Sequence, residues 1–302
     1  MLPTPSRPFA RAVLRALPGR LGRALRVARE SRHYAPPLQT TLRQLFPRLR
    51  LLAWPERPSP SQILFKLCAV NGYELLHDPN AKYDLALHFA KGGACSLPTP
   101  PPTLNRGCEN IGKSHVARVF AEVFGYGLLV DPTRYAGPIL CKSDVNYTHD
   151  GVILEGPLKA SQVAPGRVYQ RFIESEDSRS AIDLRTPLYG GFAPLVYLKR
   201  RPLGPGRFAE VESATVLEPR EVFSAGELEL LARFAALMRL DFGEADVLRD
   251  RRDGRIYVVD VANQPSGPPK ALPPAETRAA VGRLASAFGE LVSLALAGRT
   301  TV

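Results

Sequence analysis

From residue 48 onward, apolar and polar positions repeat with two different periods, and the switches between them outline the elements. Apolar runs at 49–53 and 83–89 read as strands around an amphipathic helix at 59–70 capped by Ser59 or Ser61, the order of a small α/β unit with parallel strands. Residues 91–104 are rich in Gly and Pro, which keeps them out of helix and sheet and makes them a linker. A helix follows at 110–124, where Val116, Val119, Phe120, Val123 and Phe124 form one stripe and Gly125 is placed to end it. Gly137–Ser143 is a buried strand, 152–155 and the run from Arg167 are further strands, and 180–189, 192–201 and 209–216 read as antiparallel strands. The helix at 224–239 opens with Ser224 and Glu227 as a capping box. Strands at 245–249 and 255–261 are joined by Asp253-Gly254, the strongest hairpin signal in the chain, and a last helix spans 275–297. The pattern predicts a mixed α/β (α+β) protein with units at 1–45, 46–104, 105–168 and 169–302.

Composition narrows the class. With 45% hydrophobic and 23% charged residues, 302 residues suffice for a folded core, and no apolar run approaches the roughly 20 residues of a membrane span, so no transmembrane segment is expected. Cys68, Cys95, Cys108 and Cys141 form no C-x-x-C pair, which suits reduced thiols of a cytoplasmic protein and gives no zinc pattern. The net charge of +11 is local: residues 1–57 hold twelve Arg, no Lys, and only Glu30 and Glu56 as acids, so ten of the eleven charges belong to this stretch. Its Leu and Arg spacing suits one or two short basic amphipathic helices broken at Pro18-Gly19, able to lie on an anionic membrane or on RNA. It also resembles an organellar transit peptide, and a solvated arm or a packing helix would carry the same composition.

The candidate chemistry centres on the hairpin. Asp246 shares a face with Leu248, and Asp260 with Ile256 and Val258, so antiparallel pairing sets the two acids side by side, either to hold one hard cation or as two solvated carboxylates. Asp260-Val-Ala262-Asn263-Gln-Pro265-Ser-Gly267 follows. Acid, hairpin, acid, then Asn and Pro-x-Gly resembles the magnesium-binding end of the ATP-grasp superfamily, the fold of D-alanine:D-alanine ligase, biotin carboxylase and glutathione synthetase. The resemblance covers about residues 105–270 and implies two lobes of antiparallel sheet and helix that clamp ATP, preceded by a small α/β domain. The family usually closes with Glu-x-Asn and a Pro-Gly turn; Ala262 stands where that Asn is expected, and alanine cannot ligate a metal. Either Asn263 takes the role through a shifted strand end, or the second metal site is weak or lost.

Carried onto matching positions, the resemblance implies ATP and Mg²⁺ as cofactors. Lys113, at the start of its helix, and Lys142, closing an otherwise apolar strand, would meet the phosphates. A lysine in so apolar a setting wants a partner for its charge. Residues 143–151 would be the mobile loop over the triphosphate, with Asn146, Thr148 and Gly151 fitting that role, Asp150 fitting only if it faces metal or solvent, and His149 either a proton donor or incidental; a plain Asp-Gly turn is the other reading. Gln170 would pair with the adenine amino group, backbone groups of Phe172 and Ile173 would complete the hinge, and Glu176 or Asp177 would hold the ribose. Arg185 or Lys199 would serve the γ-phosphate as the catalytic cation, and Asp246, Asp260 and Asn263 would hold the metal.

The implied function is an ATP- and Mg-dependent carboxylate–amine (or thiol) ligase that works through an acyl-phosphate. Its partners would be a small-molecule carboxylate and an amine, with no specific nucleic acid, and homodimerisation is left open. Glu244 stands where D-alanine ligases place a substrate-binding Arg, which suits a different, cationic substrate. Ala262 keeps a second reading open, a non-catalytic ATP-grasp module that binds nucleotide or a partner, and the basic stretch a third, association with RNA or membrane. The sequence has no Walker A, G-x-S-x-G or H-E-x-x-H motif.

Overall fold

A computed structural model describes residues 19–298 except 147, 149, 205 and 209. It begins with helices α1 (Gly19–Ser31) and α2 (Pro37–Leu45), which pack on each other as a hairpin. The first α/β unit comprises β1 (Leu49–Pro55), α3 (Ile63–Asn71), β2 (Tyr73–Leu76), β3 (Leu85–Phe89) and β4 (Thr103–Leu104). Its strands form one parallel sheet in the order β2-β1-β3-β4, with Leu51 opposite both Leu75 and Leu85. Buried side chains on both faces, Leu51 and Leu52 of β1 and Ala86 and Leu87 of β3, are what a parallel sheet covered on both sides requires. Three expectations are corrected here. The helix starts at Ile63 after Gln62, with no side-chain cap, because the Ser59 and Ser61 hydroxyls bond to each other (2.7 Å). β2, absent from the expected elements, follows directly on the left-handed Gly72 of the Asn71-Gly72 step. The end of the Pro-rich linker is a strand, β4, paired with β3.

The basic stretch, from residue 19 on, is attached to this unit: Arg23 pairs with Glu74 of β2 (2.5 Å), and Gln44 donates to the Tyr73 carbonyl (3.1 Å). Residues 1–18 of the expected arm lie outside the described residues.

Two antiparallel sheets follow. β5 (Gly137–Ser143), β6 (Val152–Gly156) and β7 (Arg167–Arg171) form a three-stranded sheet in the order β6-β5-β7. The boundary expected at 168/169 therefore falls inside β7, whose pairing with β5 keeps residues 167–171 in this sheet. β8 (Ala181–Tyr189), β9 (Val196–Arg201), β10 (Ser213–Leu217), β11 (Phe242–Arg249) and β12 (Ile256–Ala262) form a five-stranded sheet in the order β10-β9-β8-β11-β12. α4 (Lys113–Phe124) ends on the left-handed Gly125 and packs against β12. The short α5 (Pro219–Val222) leads to α6 (Ala225–Leu237), where Ser224 and Glu227 form the expected capping box (3.2 and 2.8 Å). The cores of α4, α6 and the large sheet merge around Phe120, Phe234, Tyr257 and Val258.

The last helix, α7 (Pro274–Leu296), returns to the first unit and lies against α3. By length and mean hydropathy it is the one described helix that could cross a bilayer. Its Val281, Leu284, Phe288 and Leu291 are buried with Leu51, Leu64 and Leu87, as in the core helix of a folded domain. Asn105 fastens the linker to the large sheet. Its side chain exchanges two bonds with the Phe242 backbone (2.7 and 2.9 Å), and its N–H donates to Asp241 (2.6 Å). Its φ of 57° is one that Asn tolerates better than most residues.

Candidate active site

The small and large antiparallel sheets face each other across a cleft. On the side of the small sheet, β5 is apolar until Lys142, which is buried and donates to the Val259 carbonyl of β12 (3.0 Å). Lys113, first residue of α4, is also buried and donates to the Val145 carbonyl (2.6 Å). Among the described residues neither ammonium has an acid within ion-pairing distance. Burial lowers the Lys142 pKa to about 8; nearby Asp260 works against that shift and Lys113 adds to it. Two desolvated cations short of anions are what a polyphosphate would satisfy.

The loop after β5 is tied down at both ends. Ser114 donates its N–H and hydroxyl to Asp144 (both 2.7 Å), and Asn146 donates to the Val261 carbonyl (2.5 Å). Asp150 is turned onto Arg167 and accepts from the Ser143 N–H (3.1 Å) and the Thr148 hydroxyl (2.9 Å), which accounts for an acid in this loop. Asn146, Thr148 and Gly151 line the cleft, and His149 lies outside the described residues.

The floor is an ionic lattice set by strand register. Pairing puts Asp183 opposite Lys199, and Asp246 opposite both Arg185 and Asp260. Lys199 bonds Asp183 (2.7 Å) and Asp246 (3.1 Å), Arg201 bonds Asp183 (2.9 Å), and Arg185 bonds Asp246 (3.0 and 3.3 Å) and approaches Glu244 (3.4 Å). Burial alone would raise the Asp246 pKa, but Arg185 and Lys199 override it and hold the carboxyl far below its usual range. Glu244 is pushed up by burial, with Arg185 offsetting part of the shift. Arg185 reaches the cleft, whereas Lys199 lies beneath Asp183 and Asp246 and does not line it.

At the other end stands Gln170, buried in the cleft wall with both its amide oxygen and its amide nitrogen unpaired. An orphaned donor–acceptor pair fits the edge of a planar heterocycle such as adenine. Phe172 and Ile173 line the same end, but the Phe172 N–H bonds Pro138 (3.0 Å) and its carbonyl accepts from Arg252 (3.1 Å), so the expected hinge bonds through Phe172 are already taken. Glu176 pairs with Arg207, and Asp177 with Arg200 (2.5 Å); neither lines the cleft, and Asp177 borders a second depression on the far side of the strand. Arg207, stacked on the Phe172 ring at 5.0 Å, and Phe208 reach the cleft from the loop after β9. No periodicity marks these two residues, and the only signal was the Gly-Pro break before them.

The expected metal trio is not assembled. Both Asp246 oxygens accept from Arg185, and one also from Lys199. Asn263 follows the strand end, so its side chain turns away from the cleft and donates to the Ala90 carbonyl (2.6 Å). Ala262 lines the cleft and offers no ligand, and among the described residues no three His, Cys, Asp or Glu side chains are grouped to hold a metal. Asp260 is the remaining cleft acid without a side-chain ion pair; burial raises its pKa, against the pull of Lys142. The residues present thus do not fit a preformed Mg²⁺ cage.

No family model matches the sequence, and no curated protein does. Among solved structures, the chain is similar to D-alanine–D-alanine ligase from Bacillus anthracis complexed with ATP, at 14% identity and a TM-score of 0.50, over 83% of this chain and 98% of that one. It is also similar to the ATP-grasp ligase PsnB complexed with precursor peptide PsnA2 and AMPPNP, at 13% identity and a TM-score of 0.51, over 80% and 96% of the two chains. Against PsnB with a phosphomimetic variant of its minimal precursor, the match spans 61% of that chain, with a TM-score of 0.44. Three sheets in this order, a cleft between the two antiparallel ones, and these likenesses agree: the chain has the ATP-grasp fold.

Proposed function

We propose that the cleft binds ATP and that the chain is an ATP-dependent ligase joining a carboxylate to an amine or thiol. The observation that carries this reading is the pair Lys113 and Lys142, buried, cationic and bonded only to backbone carbonyls. They meet the phosphates, Gln170 meets the base, and Arg185 at the cleft floor stands nearest the γ-phosphate. A substrate carboxylate oxygen attacks the γ-phosphorus, the bond to the bridging oxygen breaks, and ADP leaves with that electron pair. The amine or thiol then attacks the acyl carbon, phosphate departs, and the proton of the nucleophile goes to water. Positioning and charge stabilisation do this work, with no protein nucleophile. PsnB in complex with its precursor peptide widens the acids to be tried from free amino acids to peptide side chains.

One observation favours a second reading, a nucleotide binder without turnover: Ala262 supplies no ligand and Asp246 is neutralised by Arg185 and Lys199. ADP release screened over amino acids, small carboxylates and acidic peptides, with Lys142→Ala and Asp260→Ala as controls, separates the two. Release lost in both variants supports the ligase. Heat stabilisation by ATP without release from any acceptor supports the binder, and no response to ATP at all sinks both.

A further inference from the structure

α2 is built inside out. Its polar Thr40 and Gln44 are buried, while Leu38 is 75% exposed, Leu42 52% and Phe46, at its C-cap, 78%. Positions i, i+4 and i+8 lie in one row, so these three side chains form an apolar ridge about 12 Å long. Leu21, 44% exposed, lies at the start of α1, which the five-residue connection of the hairpin returns to the end of α2. Leu38 and Phe46 are the two most exposed large hydrophobic residues described in the chain. Arg20 and Arg26 on α1, Arg32 in the connection and Arg48 just after α2 are exposed on the same hairpin. We propose that the α1–α2 hairpin is a docking surface for an anionic lipid bilayer, with Leu38, Leu42 and Phe46 entering the interface and the arginines meeting the headgroups.

Charge selects this occupant over the others. Residues 1–57 carry twelve Arg against two acids, so a second copy seated on the same face would oppose like charge to like. Residues 1–18 bring Arg7, Arg11 and Arg15 and no acid, which adds to the attraction of this end of the chain for anions. An RNA strand would satisfy the arginines but leave the ridge in water, whereas an anionic bilayer takes both.

The test is co-sedimentation of the full chain with vesicles of phosphatidylcholine alone or mixed with phosphatidylglycerol, over a range of salt. The expected result is salt-sensitive binding to the mixed vesicles, weak binding to the neutral ones, and at least a tenfold loss of affinity in Leu38→Ser/Leu42→Ser/Phe46→Ser. That variant removes side chains that are more than half exposed, so its unfolding temperature is expected to stay within a few degrees of the parent's. Arg26→Glu/Arg48→Glu is expected to remove the preference for anionic lipid. The proposal falls if the serine variant binds mixed vesicles as the parent does, or if neutral and anionic vesicles bind alike. It also falls if the parent ignores vesicles, whether because it binds RNA instead or because it forms a dimer that the serine variant dissociates.

Discussion

Replacing Lys142 by methionine is expected to strengthen the fold of the nucleotide-free protein while removing its response to ATP. The ammonium is buried, and its pKa lies at about 8 instead of the ordinary 10.5. At about 1.4 kcal/mol per unit, keeping it charged at neutral pH costs the fold about 3 kcal/mol. Methionine keeps the aliphatic stem but gives up the bond to the Val259 carbonyl, worth about 1 kcal/mol, so the net gain is about 2 kcal/mol. The sign follows from linkage. Below about pH 8 the lysine is charged folded and unfolded, and the full cost applies; between about 8 and 10.5 the unfolded chain holds a proton that the folded one has released, so stability rises with pH. The advantage of Lys142→Met is therefore largest below pH 8 and fades toward 10.5. ATP needs the charged form, so wild-type affinity is expected to fall as pH rises through about 8, and the variant to lose about 2–5 kcal/mol of binding, at least about thirtyfold in Kd. Urea unfolding across this pH range, with calorimetric titration of ATP, reads both effects. A variant less stable than wild type at neutral pH, or an advantage that does not shrink with pH, would refute the reasoning and make Lys142 a structural residue.

Lys199, a third buried lysine of the cleft region, should behave in the opposite way. Lys199→Met leaves Asp183 and Asp246 short of their shared cation and is expected to cost about 3–5 kcal/mol in urea unfolding. Gln170→Leu removes two unsatisfied atoms, so the unliganded protein should lose no stability, while ATP weakens by about 1–3 kcal/mol and tripolyphosphate, which has no base, binds unchanged in calorimetry. Asn105→Ala, which releases both Phe242 backbone bonds, is expected to cost about 2–4 kcal/mol and to lower the unfolding temperature. With no preformed metal cage, thermal stabilisation by ATP should persist in EDTA, and Asp260→Asn should enlarge it there by removing the acid beside Lys142; abolition of the ATP effect by EDTA would show that the cleft depends on a metal after all.

How much of this was legible depended on distance along the chain. The hairpin itself was legible from strand alternation and the Asp-Gly turn, both local signals, but Asp246 comes to face Asp260 through a β-bulge: the register of the turn, carried on from Arg249 and Ile256, would set Asp246 opposite Val259. Lys142 stood out because nothing else in its strand is charged. Lys199 read as a candidate cation for the γ-phosphate, yet it is the most buried cation of the floor, because its environment is made by β8 and by Asp246, about fifty residues away. Asn263 entered as a ligand through the resemblance, on a shifted strand end, but the strand ends at Ala262 and the next side chain leaves the cleft. Thr40 and Gln44 on the buried side of α2 reverse the hydrophobic rule that a sequence reading relies on, so the packing of that helix could not be drawn from its pattern.

The floor and the opposite wall divide the electrostatic work unequally. On the floor, Arg185, Lys199 and Arg201 stand within bonding distance of Asp183, Glu244 and Asp246, so three cations and three acids cancel at close range and project little field into the cleft. Across it, Lys113 and Lys142 bond only to carbonyl oxygens, and the acids near Lys142, of which Asp260 acts most strongly, form no ion pair with it. A polyanion entering the cleft is therefore drawn to the side of α4 and β5, and the floor acts as a polar platform whose cleft-facing cations, Arg185 and Arg201, would have to loosen their holds on Asp246, Glu244 and Asp183 to follow charge moving onto a transferred phosphoryl group. That exchange also decides between turnover and simple binding. On the proposed function, an Arg185 that stays locked to Asp246 gives a nucleotide receptor, whereas one that trades its carboxylates for the phosphoryl oxygens leaves Asp246 with Lys199 as its bonded cation and one oxygen open to a ligand.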